Sequence, residues 1–389
     1  MHSVDEKISL ACNPITNKEI DELCEWLKKY PRLTKGGVTV AYEAAWSQYL
    51  GCKHSVFVNS GSSANLLMLY TLMMSKEIKP GDKVVVPALS WATDLAPVIQ
   101  LGLEPILCDC NLKDLSIDVN HFTKIINEER PKALMLVSVM GLCPDMMEIT
   151  SLCTHNDILL LEDTCESLGS ADGTMKLGTF GQMSSFSTYY GHHLSTIEGG
   201  MVCTDDPEYY DLLLMLRSHG WSRDLSPKKQ KQLADQWGGS DFQNMFAFYV
   251  PGFNLRSTDL QAFIGLQQLE KVEDVVQGRW EAYTEYRRKF KAAGMWVPEP
   301  SANSINSSMG YPLLVTNRDE IVAKLQASDI ECRPIICGSM ANQPMYRERY
   351  GTAEVENSKI VDDKGLYIPS HDGLTINEIE HVVDVILSI

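Results

Sequence analysis

Over roughly the first 215 residues, short β-branched or apolar runs alternate with stretches of helical period, and this rhythm restricts the fold more than any other feature. Val56–Asn59, Lys83–Pro87, Glu104–Cys108, Ala133–Ser138, Ile158–Asp163, Ser184–Ser187 and Gly200–Thr204 read as buried strands. Between them, Ser62–Met74, Thr93–Gln100, Met146–His155 and Pro207–Ser218 read as helices. Strand-then-helix alternation predicts an α/β fold with a mostly parallel sheet covered by helices. Such sheets bind ligands beyond the carboxyl ends of their strands, so the loops after the strands are where function is sought. Pro227–Gln243, which opens with lysines, reads as a surface excursion. Thr258–Ala293 reads as one long connecting helix, and the last ninety residues as a smaller α+β unit ending in the helix Ile376–Leu387. The expected division is a large domain over 1–257 and a small one over 258–389.

Composition narrows the function classes. With 34 Lys+Arg against 51 Asp+Glu the formal charge is −17, which argues against nucleic acid and anionic lipid as partners. No apolar run approaches the ~18 residues of a membrane span, and MHSVDEKISLACN lacks a basic-then-apolar leader. Eleven cysteines, an odd number with no C-x-x-C pair, fit reduced thiols in a cytoplasm.

Four segments could carry chemistry. In Val56–Leu67, VFVNSGSSANLL, a strand runs into Gly61, Ser62 and Ser63 at the start of a helix; Gly61 would allow a tight turn, and the free amides there can cradle a phosphate. A plain serine cap is the competing reading. In LLLEDTCESL, Glu162 and Asp163 end a buried strand, where an acid either orients a ligand or caps a helix. In SSFSTYYGHHLSTIEGGMVCT, His192 and His193 lie in a polar loop. Neighbouring side chains point apart and no third ligand stands at helical spacing, so an acid–base role is preferred over a metal, with a structural histidine as the alternative. Finally, VPGFNLRSTDLQ presents Asn254 and Arg256 just before a helix that Ser257 or Thr258 would cap.

Taken in order, SGSSAN, PALSWAT, EDTCESLGS, FSxxxxH with EGG, and GFNLRSTDLQAFIGLQQLE resemble the DegT/DnrJ/EryC1/StrS family of sugar aminotransferases. The likeness runs from Pro31–Gly51 to the final helix. It implies the fold-type I architecture of pyridoxal-phosphate enzymes. It also implies that Gly61, Ser62, Ser63 and Ser187 bind the cofactor phosphate, that Trp91 stacks on the pyridine ring, and that Asp163 pairs with its nitrogen. Glu166 would lie beside the cofactor, and Asn254 would reach the phosphate across a dimer interface, so that two subunits share each site.

The departure from the family pattern is as informative. The family lysine that bonds covalently to the cofactor falls five residues after Ser187, and here that position is His192. No lysine occurs between Lys176 and Lys228, so no short slip restores it. The same substitution marks a branch of sugar 3-dehydratases that use pyridoxamine phosphate non-covalently. The expected catalytic base is therefore His192. The expected substrate is a nucleotide-linked 4-keto-6-deoxyhexose, with the GDP-linked 6-deoxymannose derivative first and CDP- or dTDP-linked sugars as alternatives. L-Glutamate would regenerate the cofactor and leave as 2-oxoglutarate. His219, in RSHGWSRD, is a weaker candidate for substrate contact. One form of the branch carries a [2Fe–2S] cluster on four cysteines; here Cys165 matches the first position, but only Cys203 lies between Glu198 and Cys332, so no cluster and no metal are expected.

Overall fold

The computed structural model describes residues 7–389; the first six, part of the stretch read for a leader, lie outside the described residues. Seven strands form the main sheet: β1 His54–Val58, β2 Lys83–Pro87, β3 Glu104–Cys108, β4 Ala133–Val137 and β5 Leu159–Asp163, then β8 Met183–Ser187 and β9 Gly200–Thr204. A short hairpin, β6 Ala171–Asp172 and β7 Met175–Lys176, lies between β5 and β8. The order across the sheet is β1-β9-β8-β5-β4-β2-β3. The run from β8 to β3 is parallel, and only β9 runs against its neighbours. All seven expected strands are present within a residue or two.

Side-chain alternation buries both faces of the sheet. Val84, Val86, Met135 and Leu161 join one core, whereas Val85, Leu134, Leu136 and Leu160 join the other. Strands covered on both sides read as near-continuous apolar runs, which is why the sequence exposed them.

Within the first 215 residues, three helices were not expected: Asn17–Leu27, Gly37–Leu50 and Val119–Glu129. The last is the crossover from β3 to β4, capped by Asp118, whose carboxylate accepts from the amides of Asn120 and His121. The excursion at 227–243 contains a helix, Pro227–Trp237, with no buried residue.

The long helix expected over 258–293 is instead two, Asp259–Leu269 and Val272–Ala292. Neither proline nor glycine marks the break. At the junction the Gln268 amide and the Lys271 ammonium both reach the Pro14 carbonyl and Glu19, at 2.5–2.9 Å. The two helices also serve different cores. The first packs Gly265 against the Tyr42 ring, where a Cβ would stand 2.5 Å from the ring. The second buries Tyr283, Tyr286 and Phe290 among residues of the last eighty positions. That region pairs β11 Gly310–Leu314 with β12 Gly365–Pro369, while β10 Ser304–Ile305 extends the β6–β7 hairpin.

β1, β2, β4, β5 and β8 all end at one edge of the sheet, where β9 begins. The segments 59–63, 88–94, 138–142, 163–167 and 187–199 therefore converge there.

Candidate active site

A cavity of about 360 Å³ opens at that edge. Gly61, Ser62, Trp91, Asp163, Glu166, Ser187 and His192 line it. The structure thus brings seven of the ten expected site residues together from four separate segments.

The helix Gly61–Met74 starts one residue earlier than the sequence suggested. Its cap is Ser60, whose Oγ accepts from the Ser63 amide at 3.1 Å. The Ser63 hydroxyl is turned back to Asn59 Oδ1 at 2.6 Å, and Ser63 stands off the cavity. The amides of Gly61 and Ser62, first in the helix, have no helical carbonyl to bond and lie at its positive end. Gly61 is not there for a left-handed turn: a Cβ would meet Ser187 Cβ at 2.8 Å and Cys165 Sγ at 3.0 Å, so the glycine lets the helix start press against the end of β8.

The two carboxylates ending β5 part company because successive strand side chains face opposite sides. Glu162 points away and accepts from the amides of Gly178, Phe180 and Gly181 at 2.7–2.8 Å. Asp163 faces the cavity, its Oδ1 accepting from the Cys165 amide at 2.9 Å and its Oδ2 from Asn65 Nδ2 at 2.6 Å. No helix follows Asp163, so it is not a helix cap. Glu166 accepts from the Met140 amide at 2.7 Å. Burial, with a smaller push from Asp163, raises its carboxyl to about 8 against the pull of that amide. Trp91 leaves about half its surface open, and its backbone amide is held by Asp94 Oδ2 at 3.0 Å.

The adjacent histidines divide in the same way. His193 is buried, its Nε2 2.8 Å from the Ser307 carbonyl oxygen, and desolvation keeps it neutral. His192 enters the cavity, edge-on to Tyr189, and its Nδ1 has no hydrogen-bond partner among the described residues. Desolvation lowers its pKa to about 4, with Arg279 adding to the drop and Asp163 opposing it. A neutral imidazole is a proton acceptor, and no lysine lines the cavity.

Sequence reasoning gave no role to Asn65 or Asp94, nor to Met309, Ile336 and Tyr367, which the C-terminal region contributes to the cavity or its wall. Asn65 had a signal, being a lone amide within an otherwise apolar helix. The C-terminal residues had none.

Asn254 and His219 lie elsewhere. They meet at Arg256, whose Nε donates to Asn254 Oδ1 at 3.0 Å and whose Nη2 stands 3.4 Å from His219 Nε2. Arg256 and Asn254 line a second pocket of about 410 Å³ with Arg32, Lys35, Arg223 and Asp224.

A family model described as the DegT/DnrJ/EryC1/StrS aminotransferase family matches residues 14–387. The chain belongs to this family. It is 33% identical, over 91% of its length and 92% of the relative's, to a GDP-4-keto-6-deoxy-D-mannose 3-dehydratase of Escherichia coli O55:H7. A relative of the same name from Yersinia pseudotuberculosis is 34% identical over 87% of this chain and 88% of its own. Among solved structures, a GDP-4-keto-6-deoxymannose-3-dehydratase with a trapped PLP-glutamate geminal diamine superposes with a TM-score of 0.90 at 31% identity, covering 97% of this chain and all of that one. The fold is therefore that of the pyridoxal-phosphate-dependent aminotransferases, as the sequence predicted.

Proposed function

We propose that this chain is a pyridoxamine/pyridoxal phosphate-dependent nucleotide-sugar 3-dehydratase. It removes the C3 hydroxyl of a 4-keto-6-deoxyhexose, with GDP-4-keto-6-deoxy-D-mannose the first substrate, and L-glutamate restores the cofactor and leaves as 2-oxoglutarate. One observation carries the reading: at the position of the family lysine, a neutral histidine enters a cavity with no lysine in its wall.

The cavity suits the cofactor. The close approach at Gly61 leaves the amides and hydroxyls of Gly61, Ser62 and Ser187 to hold a phosphate without any cation. Trp91 offers an aromatic face, Asp163 a buried carboxyl for the ring nitrogen, and Glu166 a hydrogen-bonding group beside them. When bound, the group supplies an amine and an electron-withdrawing ring. His192 takes up a proton on its imidazole and, once charged, delivers one to the sugar's C3 oxygen as it departs. Lysine is absent, so the cofactor is held non-covalently. Cys165 is the sole cysteine in the wall, which favours a centre without an iron–sulfur cluster.

The working form is a homodimer with shared sites. Asn254 stands outside its own chain's cavity, and exposed aromatic side chains, Trp237, Phe242, Phe246 and Phe248, lie on the segment that precedes it. The division is placed at 257/258, with the helix Asp259–Leu269 packing back onto the cofactor-binding part. A cytoplasmic setting accords with eleven unpaired cysteines, and no helix among the described residues is long and apolar enough to cross a membrane.

The test is incubation with GDP-, CDP- and dTDP-linked 4-keto-6-deoxyhexoses plus glutamate. Loss of the C3 hydroxyl with the GDP sugar is expected. A 4-amino sugar as product would establish an aminotransferase instead, and no turnover of any sugar would indicate a silent paralogue.

A further inference from the structure

In the cavity wall, two carboxyl groups share one amide. Asn65 Nδ2 donates to Asp163 Oδ2 at 2.6 Å and to Asp94 Oδ1 at 3.1 Å, while Asn65 Oδ1 accepts from the Ser185 hydroxyl at 2.5 Å. The remaining oxygens are also engaged, Asp94 Oδ2 by the Trp91 amide and Asp163 Oδ1 by the Cys165 amide. Asp94 has no solvent exposure and Asp163 very little. Two anions at this range in a dry site repel strongly, so such a pair holds on to a proton.

The groups facing Asp94 from the surrounding elements offset none of that charge. Asp163 and Cys165 come from β5 and the turn after it, Glu166 from the same turn, and Cys337 from the C-terminal region. All are acids or thiols, and His192, the base that faces Asp163 across the cavity, is held neutral by its burial. Burial is the largest influence on Asp94 and Asp163 the next; both push its acid well above the ordinary carboxyl range.

We propose that Asp94 is a positioning residue for Asp163: the two carboxyls, held side by side by Asn65, keep one proton between them, and a cationic ring nitrogen arriving at Asp163 loosens that proton to solvent. The inference rests on the cofactor reading above. It gives Asp94 a role beyond closing the first turn of the helix that follows Trp91. Because a nearby cation favours the ionised pair, binding and proton loss are linked, and the affinity for a cationic ring climbs with pH through the range in which the pair ionises.

The experiment measures pyridoxamine 5′-phosphate binding to cofactor-stripped protein from pH 6 to 9, in the wild type and in Asp94→Asn. The amide keeps the size and the contact with the Trp91 amide but cannot ionise. The wild-type-to-variant affinity ratio should climb by about tenfold across that range, which corresponds to a pKa change of about one unit on binding. A flat ratio in a folded variant overturns the proposal and leaves Asp94 as a helix cap. Failure of the wild type to bind the compound at any pH defeats the cofactor reading itself. If Asp94→Asn does not fold, infrared difference spectra of wild-type protein carrying carboxyl-¹³C aspartate replace it. A protonated aspartic acid band that weakens on adding the compound supports the shared proton, and its absence from the cofactor-free protein overturns it. The isotope separates this band from Glu166.

Discussion

The two pockets of this chain handle negative charge in opposite ways. The cavity at the sheet edge is walled by Asp94, Asp163, Glu166 and Glu198 and includes neither lysine nor arginine. The pocket around Asn254 gathers Arg32, Lys35, Arg223 and Arg256 against the single acid Asp224. In the first, a phosphate must be met by helix-start amides and hydroxyls, which need no cation and leave the acids free to set the protonation of a ring and a base. The second has the charge for an anion but lies outside the cavity that holds His192. A net charge of −17 is thus compatible with a phosphorylated ligand, because amides and hydroxyls can meet a phosphate without cations and four cations still line the second pocket.

Three measurements would break or sharpen this contrast. The largest effect is expected at His192. Replacing it with Asn should lower dehydration by about 10²–10⁴-fold, the usual span for a lost acid–base group. Because desolvation holds the wild-type imidazole near 4, the base stays neutral down to that pH, and the acid limb of the rate profile in cofactor-loaded enzyme should lie well below the ordinary histidine value of 6.5. A limb at the ordinary value would place the base elsewhere.

A smaller effect is expected at the second pocket. Asn254→Ala should weaken pyridoxamine phosphate binding by roughly tenfold, the scale of one hydrogen bond to a charged group. Mixed dimers decide whether the pocket serves the neighbour. In a dimer of one Asn254→Ala chain and one His192→Asn chain, the site that keeps His192 should show the wild-type cofactor dependence of dehydration if Asn254 acts across the interface. A cofactor requirement about tenfold higher would mean that the pocket acts within its own chain.

The smallest effect should come from His193. Its Asn variant should leave dehydration far less affected than His192→Asn. It should cost about 1–3 kcal/mol of stability by unpairing the buried Ser307 carbonyl. The sign with pH is fixed: the native pKa lies below the ordinary 6.5, so below that pH only the unfolded chain takes up the proton. Wild-type stability therefore falls as pH drops through about 6.5, and the variant should lose that part of the slope in chemical denaturation.

Much of the fold was legible because the sheet is buried on both faces, so each strand is an apolar run that stands out from the helical periods around it. The three unexpected helices lacked that contrast. The break near Lys271 is set by contacts to Pro14 and Glu19, more than 250 residues away in the chain, and nothing local announces it. At the site, the order of motifs pointed to Gly61, Ser62, Trp91, Asp163, Glu166, Ser187 and His192, each of which the fold brings to one cavity. The same motifs could not show that Ser63 turns back to Asn59, or that Gly61 answers a packing demand rather than a turn.

The sequence by itself determined the strand–helix alternation, the family and the histidine at 192, because these are properties of residue identity and spacing along one line. Only the tertiary structure decided which of two neighbouring side chains faces the cavity, since strand alternation and loop packing set that direction. Glu162 and Asp163 diverge, and so do His192 and His193. It alone also brought Asp94 to Asp163: residues 69 positions apart become partners when two strand ends meet at one edge, and the energy of a buried pair depends on that distance.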